Sequence, residues 1–188
     1  MNTSGFEVEQ KYAVAEMTPL IDALESLGIQ WQNEVCQRDY YFNHPSRDFA
    51  ITDEAVRIRI EDDEACLTYK GPKIGTKAKT RKEIELPIVE GVAAEPAIRA
   101  FLTELGFRKV ALVSKKRRNG VCRLNDRDVS IALDNVEQLG SFIELELLVS
   151  DESEIAVAQS ILDDLANRVG LSSTDRRGYL DMLLEIDS

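Results

Sequence analysis

Apolar residues recur at every second position through most of this chain. That period predicts strands over 5–13, 34–43, 54–61, 65–71, 81–88, 107–118, 120–125, 128–136 and 140–149. Three stretches switch to the period of a helix. The first opens at Thr18-Pro19, a capping residue with proline at the first helical position, sets Leu20, Leu24 and Leu27 on one face and stops at Gly28. The second begins near Pro96, aligns Ile98, Phe101, Leu102 and Leu105, and stops at Gly106. The third follows Asp151-x-x-Glu154, a capping-box spacing, and repeats Ile155, Ala158, Leu162, Leu165 and Val169 before Gly170. A short apolar tail from Tyr179 to Ile186 is a candidate fourth helix. No low-complexity segment interrupts the pattern, and 188 residues are enough to bury a core without disulfides, so the expectation is one α+β domain over 1–188.

The polar half of the strand pattern is unusual. Glu7, Glu9 and Lys11 share one strand face, as do Arg57 and Arg59, and Thr68 and Lys70. Arg81, Glu83 and Glu85 share another, and Glu144 and Glu146 another, while Asp134 lies in register with Ser130 and Ala132. Glu-x-Glu stands on the strand before each main helix. A solvated outer face mixes Thr, Ser, Gln and Lys; these faces carry almost only carboxylates, guanidiniums and ammoniums. The alternative to a solvated face is a closed sheet whose apolar side packs outward against helices and whose charged side lines an internal passage. Removing those ions from water costs several kcal/mol each unless they are paired, hydrated or filled by a ligand.

Net charge alone points away from this. The chain carries 23 Lys+Arg against 34 Asp+Glu, a formal −11, which excludes a general binder of extended nucleic acid or of anionic membrane. The distribution changes the picture. Residues 57–82 hold eight cations against four anions and residues 108–127 eight against one, so these segments carry +4 and +7 and the rest of the chain −22. Converging Arg and Lys suit a polyanion with several oxygens, and clustered carboxylates beside them suit a hard divalent cation, Mg²⁺ or Mn²⁺. No G-x-x-x-x-G-K-[ST] or G-x-G-x-x-G cradle occurs. A single histidine, His44, excludes zinc hydrolysis, and its place before Pro45 reads as a turn. Cys36, Cys66 and Cys122 lie far apart and read as buried thiols of a reducing compartment. With no leader pattern and no apolar run of membrane-spanning length, the expectation is cytoplasmic, with no membrane partner.

The motif Glu7-Val8-Glu9-Gln10-Lys11 resembles the E-x-E-x-K signature of the CYTH family, the triphosphate tunnel metalloenzymes. The resemblance continues in order through Arg57-x-Arg59, Lys70, Lys79-x-Arg81-x-Glu83-x-Glu85, Lys115-x-Arg117, Asp134 and Glu144-x-Glu146. It implies a closed eight-stranded antiparallel β-barrel with a charged lumen and helices packed outside. Within the family, the stretch 37–55 is most similar to the class IV, CyaB-type adenylyl cyclases, which implies conversion of ATP to cyclic AMP and pyrophosphate. The same lining serves triphosphate hydrolases acting on tripolyphosphate or thiamine triphosphate, and a non-catalytic polyphosphate or nucleotide sensor needs the cations alone.

By resemblance, Lys11, Arg57, Arg59, Lys70, Arg81, Lys115 and Arg117 hold the triphosphate. Glu7, Glu9, Asp134, Glu144 and Glu146 bind one or two Mg²⁺ or Mn²⁺ ions, and catalysis falls to Glu9, Lys11, Lys70 and Glu83. Lys115 to Arg118 are four basic residues in a row, and the resemblance selects Lys115 and Arg117 as the inward pair. Lys73, Lys77 and Lys79 form a solvated loop or a lid, and Arg176 and Arg177 are candidates to close one end. The expected partner is a nucleoside triphosphate or other triphosphate, and pairing into a homodimer stays open.

Overall fold

The computed structural model describes residues 6–73 and 79–186. Lys77 of the basic loop lies outside the described residues. In chain order the elements are β1 (Phe6–Ala13), α1 (Met17–Ser26), β2 (Gln30–Asn43), α2 (Phe49–Thr52), β3 (Ala55–Glu61), β4 (Glu64–Lys70), β5 (Lys79–Arg81) and β6 (Glu83–Ile88). They continue with α3 (Glu95–Glu104), β7 (Arg108–Leu124), β8 (Arg127–Val136), β9 (Gly140–Val149), α4 (Ile155–Arg168) and α5 (Tyr179–Ile186). Every strand pairing is antiparallel, in one curled sheet of nine strands ordered β5-β1-β9-β8-β7-β2-β3-β4-β6. Only Lys82 separates β5 from β6, so one short stretch pairs with β1 at one edge of the sheet and with β4 at the other.

Two departures from the predicted strands have local causes. β2 begins at Gln30, earlier than alternation indicates, because its register slips between Trp31 and Glu34 and a bulge breaks the period of two. The predicted strands 107–118 and 120–125 are one strand, β7, that runs through Gly120 without a break. Gly120 is there for space: a Cβ would stand 2.6 Å from Cε3 of Trp31 and 2.8 Å from Cδ1 of Ile29. Gly120→Ala is therefore expected to lower stability by about 1–3 kcal/mol, the cost of overpacking against a rigid indole. Thermal unfolding checks this, and an unchanged melting temperature would show that Trp31 moves aside freely.

The helices follow the sequence signals closely except at the start of α1, where Glu16 is the capping position without a side-chain bond and Thr18, read as the cap, lies inside the first turn. α1 and α3 each end two residues before a left-handed glycine, Gly28 and Gly106. Asp151 accepts from the Ser153 N–H at the turn that leads into α4. α2 is a single turn that the apolar pattern missed, capped by Asp48 at one end and by left-handed Asp53 at the other.

Packing divides the sheet by face. α1 and α4 cover Val8, Ile131, Ile143 and Leu145, all fully buried or nearly so. α3 places Leu102 over Phe42, Ile58 and Ile60. α5 departs from the expectation that all helices pack outside. Its Tyr179, Met182 and Leu183 bury against Tyr41, Val113, Val136 and Phe142, which have the same parity as the charged residues Asp39, Lys115, Asp134 and Glu144. The C-terminal helix thus lies across one end of the concave, charged side. The cysteines also differ from expectation: Cys122 is buried, Cys66 half-buried and Cys36 exposed, and all three are free thiols. Cys36 lies on the part of β2 that extends beyond its pairing with β3, which begins at Gln37.

A charged cavity as the candidate active site

Because strand neighbours share parity across a sheet, the charged positions of β1, β3, β4, β6, β7 and β9 converge on one concave surface. It bounds a cavity of about 1250 Å³. Arg57, Arg59, Lys70, Arg81, Lys115 and Arg117, six of the seven basic residues selected by resemblance, stand on its wall, with Lys73. All three Glu-x-Glu pairs, Glu7 and Glu9, Glu83 and Glu85, Glu144 and Glu146, face the same space. In the basic run of β7, Lys115 and Arg117 turn inward while Lys116 lies exposed beside Glu34 and Arg118 stacks 4.8 Å over the Trp31 ring.

Two predicted residues stand behind the wall. Lys11 is 1% exposed; its ammonium donates to the Arg177 carbonyl and sits 4.3 Å from the centroid of Tyr179 and 5.6 Å from that of Phe142. Asp134 is fully buried, and cations rather than open space surround its carboxylate. Arg117 donates through Nε at 2.7 Å, Lys115 at 3.2 Å and the Tyr179 hydroxyl at 2.8 Å. The geometry gives Lys11 and Asp134 positioning contacts where the resemblance implied triphosphate and metal ligands.

The sequence reading assigned no role to Asp39, although it does the same for the other arginine pair. Asp39 is 2% exposed, takes both forks of Arg59 at 2.7 Å and meets Arg57 at 3.3 Å. A repeated device results: Asp39 faces Arg59 in register from β2 to β3, and Asp134 faces Arg117 in register from β8 to β7. Each acid anchors two cations spaced two residues apart. Asp53 was likewise missed. From its left-handed position it binds both the backbone N–H and the ammonium of Lys73, at 2.9 and 2.8 Å, with Arg81 3.9 Å away.

The electrostatics divide the wall into two kinds of group. Burial works against the Asp39 carboxylate, but Arg57 and Arg59 outweigh it and hold its pKa well below the ordinary value. Glu83 is also held low, by Lys70 against the effect of burial. Burial together with Arg117 pushes the Lys115 ammonium down to about 7 in spite of Asp134. Glu7 and Glu146 go the other way. Burial raises Glu7 well above its usual value, Lys70 opposes, and Glu146, Glu83 and Glu9 add to the rise. Burial and then the charges of Glu9 and Glu144 push Glu146 up to about 7. Such crowded carboxylates are short of positive charge, which is the donor chemistry of a hard cation site. Among the described residues no three carboxylates already stand as a closed metal cage.

The sequence signal for most of this was parity. Asp39 carried no parity signal of its own, because its importance lies in the register between β2 and β3. His44 is a turn residue: its Nδ1 accepts from the Ser46 N–H at 3.2 Å, and its ring packs on Phe49 and Phe107.

Known proteins match over nearly the whole chain. The CYTH domain model fits residues 5–179. A Methanocaldococcus jannaschii protein whose name proposes an adenylate cyclase is 35% identical over 178 residues, covering 94% of this chain and 97% of that one. A Pyrococcus horikoshii OT3 protein of solved structure superposes with a TM-score of 0.85 at 39% identity, over 96% of this chain and 99% of its own. A Hippeastrum adenylyl cyclase candidate described by its dominant triphosphatase activity shares the fold, with a TM-score of 0.67 at 16% identity over 96% and 95% of the two chains.

Proposed function

The chain belongs to the CYTH domain family, and from that premise we propose that it is a metal-dependent enzyme of triphosphates whose leading activity is cyclisation of ATP to cyclic AMP and pyrophosphate. The observation that carries the reading is the cavity wall, where seven basic side chains from four strands and the segment after β4 share one cavity with the six glutamates of the three Glu-x-Glu pairs. In this reading β5 and β6 count as one strand interrupted at Lys82, and pairing with both β1 and β4 closes an eight-stranded tunnel. The cyclase assignment rests on the stretch 37–55, which supplies Asp39 beneath the arginines and Tyr41, Asp53 and Glu54 on the wall, and on the name of the Methanocaldococcus relative.

Glu7, Glu9, Glu144 and Glu146 would hold Mg²⁺ or Mn²⁺, which supplies positive charge where the phosphate oxygens and the crowded glutamates meet. The chain's own groups do the rest. Arg57 and Arg59, aimed by Asp39, and Lys115 and Arg117, aimed by Asp134, grip the phosphate chain from two sides. In cyclisation the ribose 3′-hydroxyl gives its proton to a wall carboxylate or to water, and its oxygen bonds to the α-phosphorus as the bond from that phosphorus to the α,β-bridging oxygen breaks. Negative charge then grows on the departing pyrophosphate, and fixed guanidiniums stabilise it without having to reorganise. Lys70, held by Glu83 beside Glu7, adds charge from β4, the strand next to β3. A second reading, hydrolysis of a triphosphate by water, is favoured by the shared lining and by the dominant activity of the Hippeastrum protein.

Incubation with ATP and Mg²⁺ or Mn²⁺ is expected to yield cyclic AMP. ADP and phosphate without cyclic product would replace the first reading by the second, and no turnover of ATP, tripolyphosphate or thiamine triphosphate would remove both. Glu146→Gln is expected to lower turnover at least about 100-fold while leaving the melting temperature in metal-free buffer unchanged or higher. The sign follows from the raised pKa. Glu146 favours folding below its unfolded pKa, and that contribution is lost as pH rises through about 7, so at pH 8 the ionised side chain is a cost that glutamine removes. A large drop in melting temperature at pH 8 would show instead that ion pairs to Lys70 and Arg117 stabilise the carboxylate.

A further inference from the structure

The chemistry just described makes no use of α5, yet this helix reaches the cation pair directly. Tyr179, its first residue, is 7% exposed, packs edge-on against Phe142 with centroids 5.2 Å apart, and donates its hydroxyl to Asp134 Oδ2 at 2.8 Å. That same oxygen accepts from Lys115 at 3.2 Å and from Arg117 at 2.5 Å. The Lys115 ammonium also lies 4.9 Å from the Tyr179 ring centroid.

The segment that leads into α5 is sewn to the end of β1. Tyr12 bridges to Thr174, the Asp175 N–H donates to the Lys11 carbonyl at 2.7 Å, and the Lys11 ammonium donates to the Arg177 carbonyl. The ring of Tyr179 is therefore fixed from β1, from Phe142 and from the cations over its face. Its hydroxyl transmits that fixation to Asp134.

An ionised carboxylate has about four acceptor positions on its two oxygens. The described partners of Asp134 are Lys115, Arg117 and Tyr179, and Tyr179 is the neutral one. Lys115 and Arg117 repel each other, so the carboxylate must keep one orientation if both are to point at one phosphate chain. A neutral donor that arrives from a separate element sets that orientation without adding a third charge.

We propose that Tyr179 is a positioning residue through which the seated C-terminal helix fixes Asp134, and with it the aim of Lys115 and Arg117 toward a phosphate chain. This rests on the triphosphate reading of the cavity and adds a determinant of its affinity. Tyr179→Phe is the discriminating variant, since it keeps the ring, its packing and the cations over its face, and removes one oxygen. Two measurements on the full chain are needed: hydrogen exchange of the Arg117 Nε–H by nuclear magnetic resonance without ligand, and calorimetric titration with inorganic tripolyphosphate.

In the wild-type protein the Nε–H is expected to exchange slowly. In Tyr179→Phe its exchange is expected to accelerate several-fold, and tripolyphosphate to bind about tenfold more weakly. Unchanged affinity overturns the proposal, whether or not the melting temperature falls, because it leaves Tyr179 a packing residue. Weakened affinity with an unaltered Arg117 signal overturns it too, because the effect then bypasses Asp134. If the wild-type protein binds no tripolyphosphate, the triphosphate reading fails, and the Arg117 signal still decides whether Tyr179 fixes the pair.

Discussion

Asp39→Asn is expected to lower the stability of the folded protein by about 3–5 kcal/mol at pH 7, because Arg57 and Arg59 would remain buried with their shared counter-charge removed. The pH dependence gives the loss a signature. Asp39 has a depressed pKa in the folded state, so its contribution is complete above the unfolded value of about 3.9 and is lost as pH falls below that toward the folded value. Denaturant unfolding from pH 7 to pH 2 should show the wild-type protein losing stability on the acid side and the variant losing distinctly less over the same interval. Parallel pH profiles would show that the Asp39 charge contributes nothing net, and that desolvation cancels its attraction to the arginines.

Arg117→Ala is expected to reduce turnover of the preferred triphosphate by about 100- to 1000-fold, the range seen when one fixed donor to a developing anion is removed. Arg117 is the hub of its wall, joined to both Asp134 and Glu144. Arg117→Lys should recover little, since one ammonium cannot keep the two-pronged grip on Asp134 and also meet a phosphate. Steady-state kinetics would check the pair of variants. Turnover within fivefold of wild type in Arg117→Ala would place the phosphate chain elsewhere in the cavity.

How far the sequence could be read depended on whether a feature is local. Strand parity is local, and it was enough to bring Glu7, Glu9, Arg57, Arg59, Glu144 and Glu146 to one surface. The inward choice of Lys115 and Arg117 needed the resemblance, because an unbroken basic run has no period. The seat of α5 was not read, yet its signal was present. On β2, β7, β8 and β9 the charged parity turns apolar toward the same end, at Tyr41, Val113, Val136 and Phe142. An amphipathic tail shows that one of its faces will be buried, and strand order is needed to say against which surface. Asp39 and Asp134 were equally a matter of register, since their value as anchors lies in which residue of the next strand stands opposite.

The pairing of β1 with β9 bears on how the protein is made. Glu7 and Glu9 precede Glu144 and Glu146 by well over a hundred residues, yet β1 finds its long partner in the strand that contains that second pair. Such a fold has high contact order, which slows its closing steps toward the millisecond-to-second range. Before β9 appears, β1 has only the short β5 to pair with. Glu9 and Glu146 can therefore come together only once β9 is present, and a chain truncated before β9 keeps Asp39 with Arg57 and Arg59 but lacks half of the β1–β9 glutamate set.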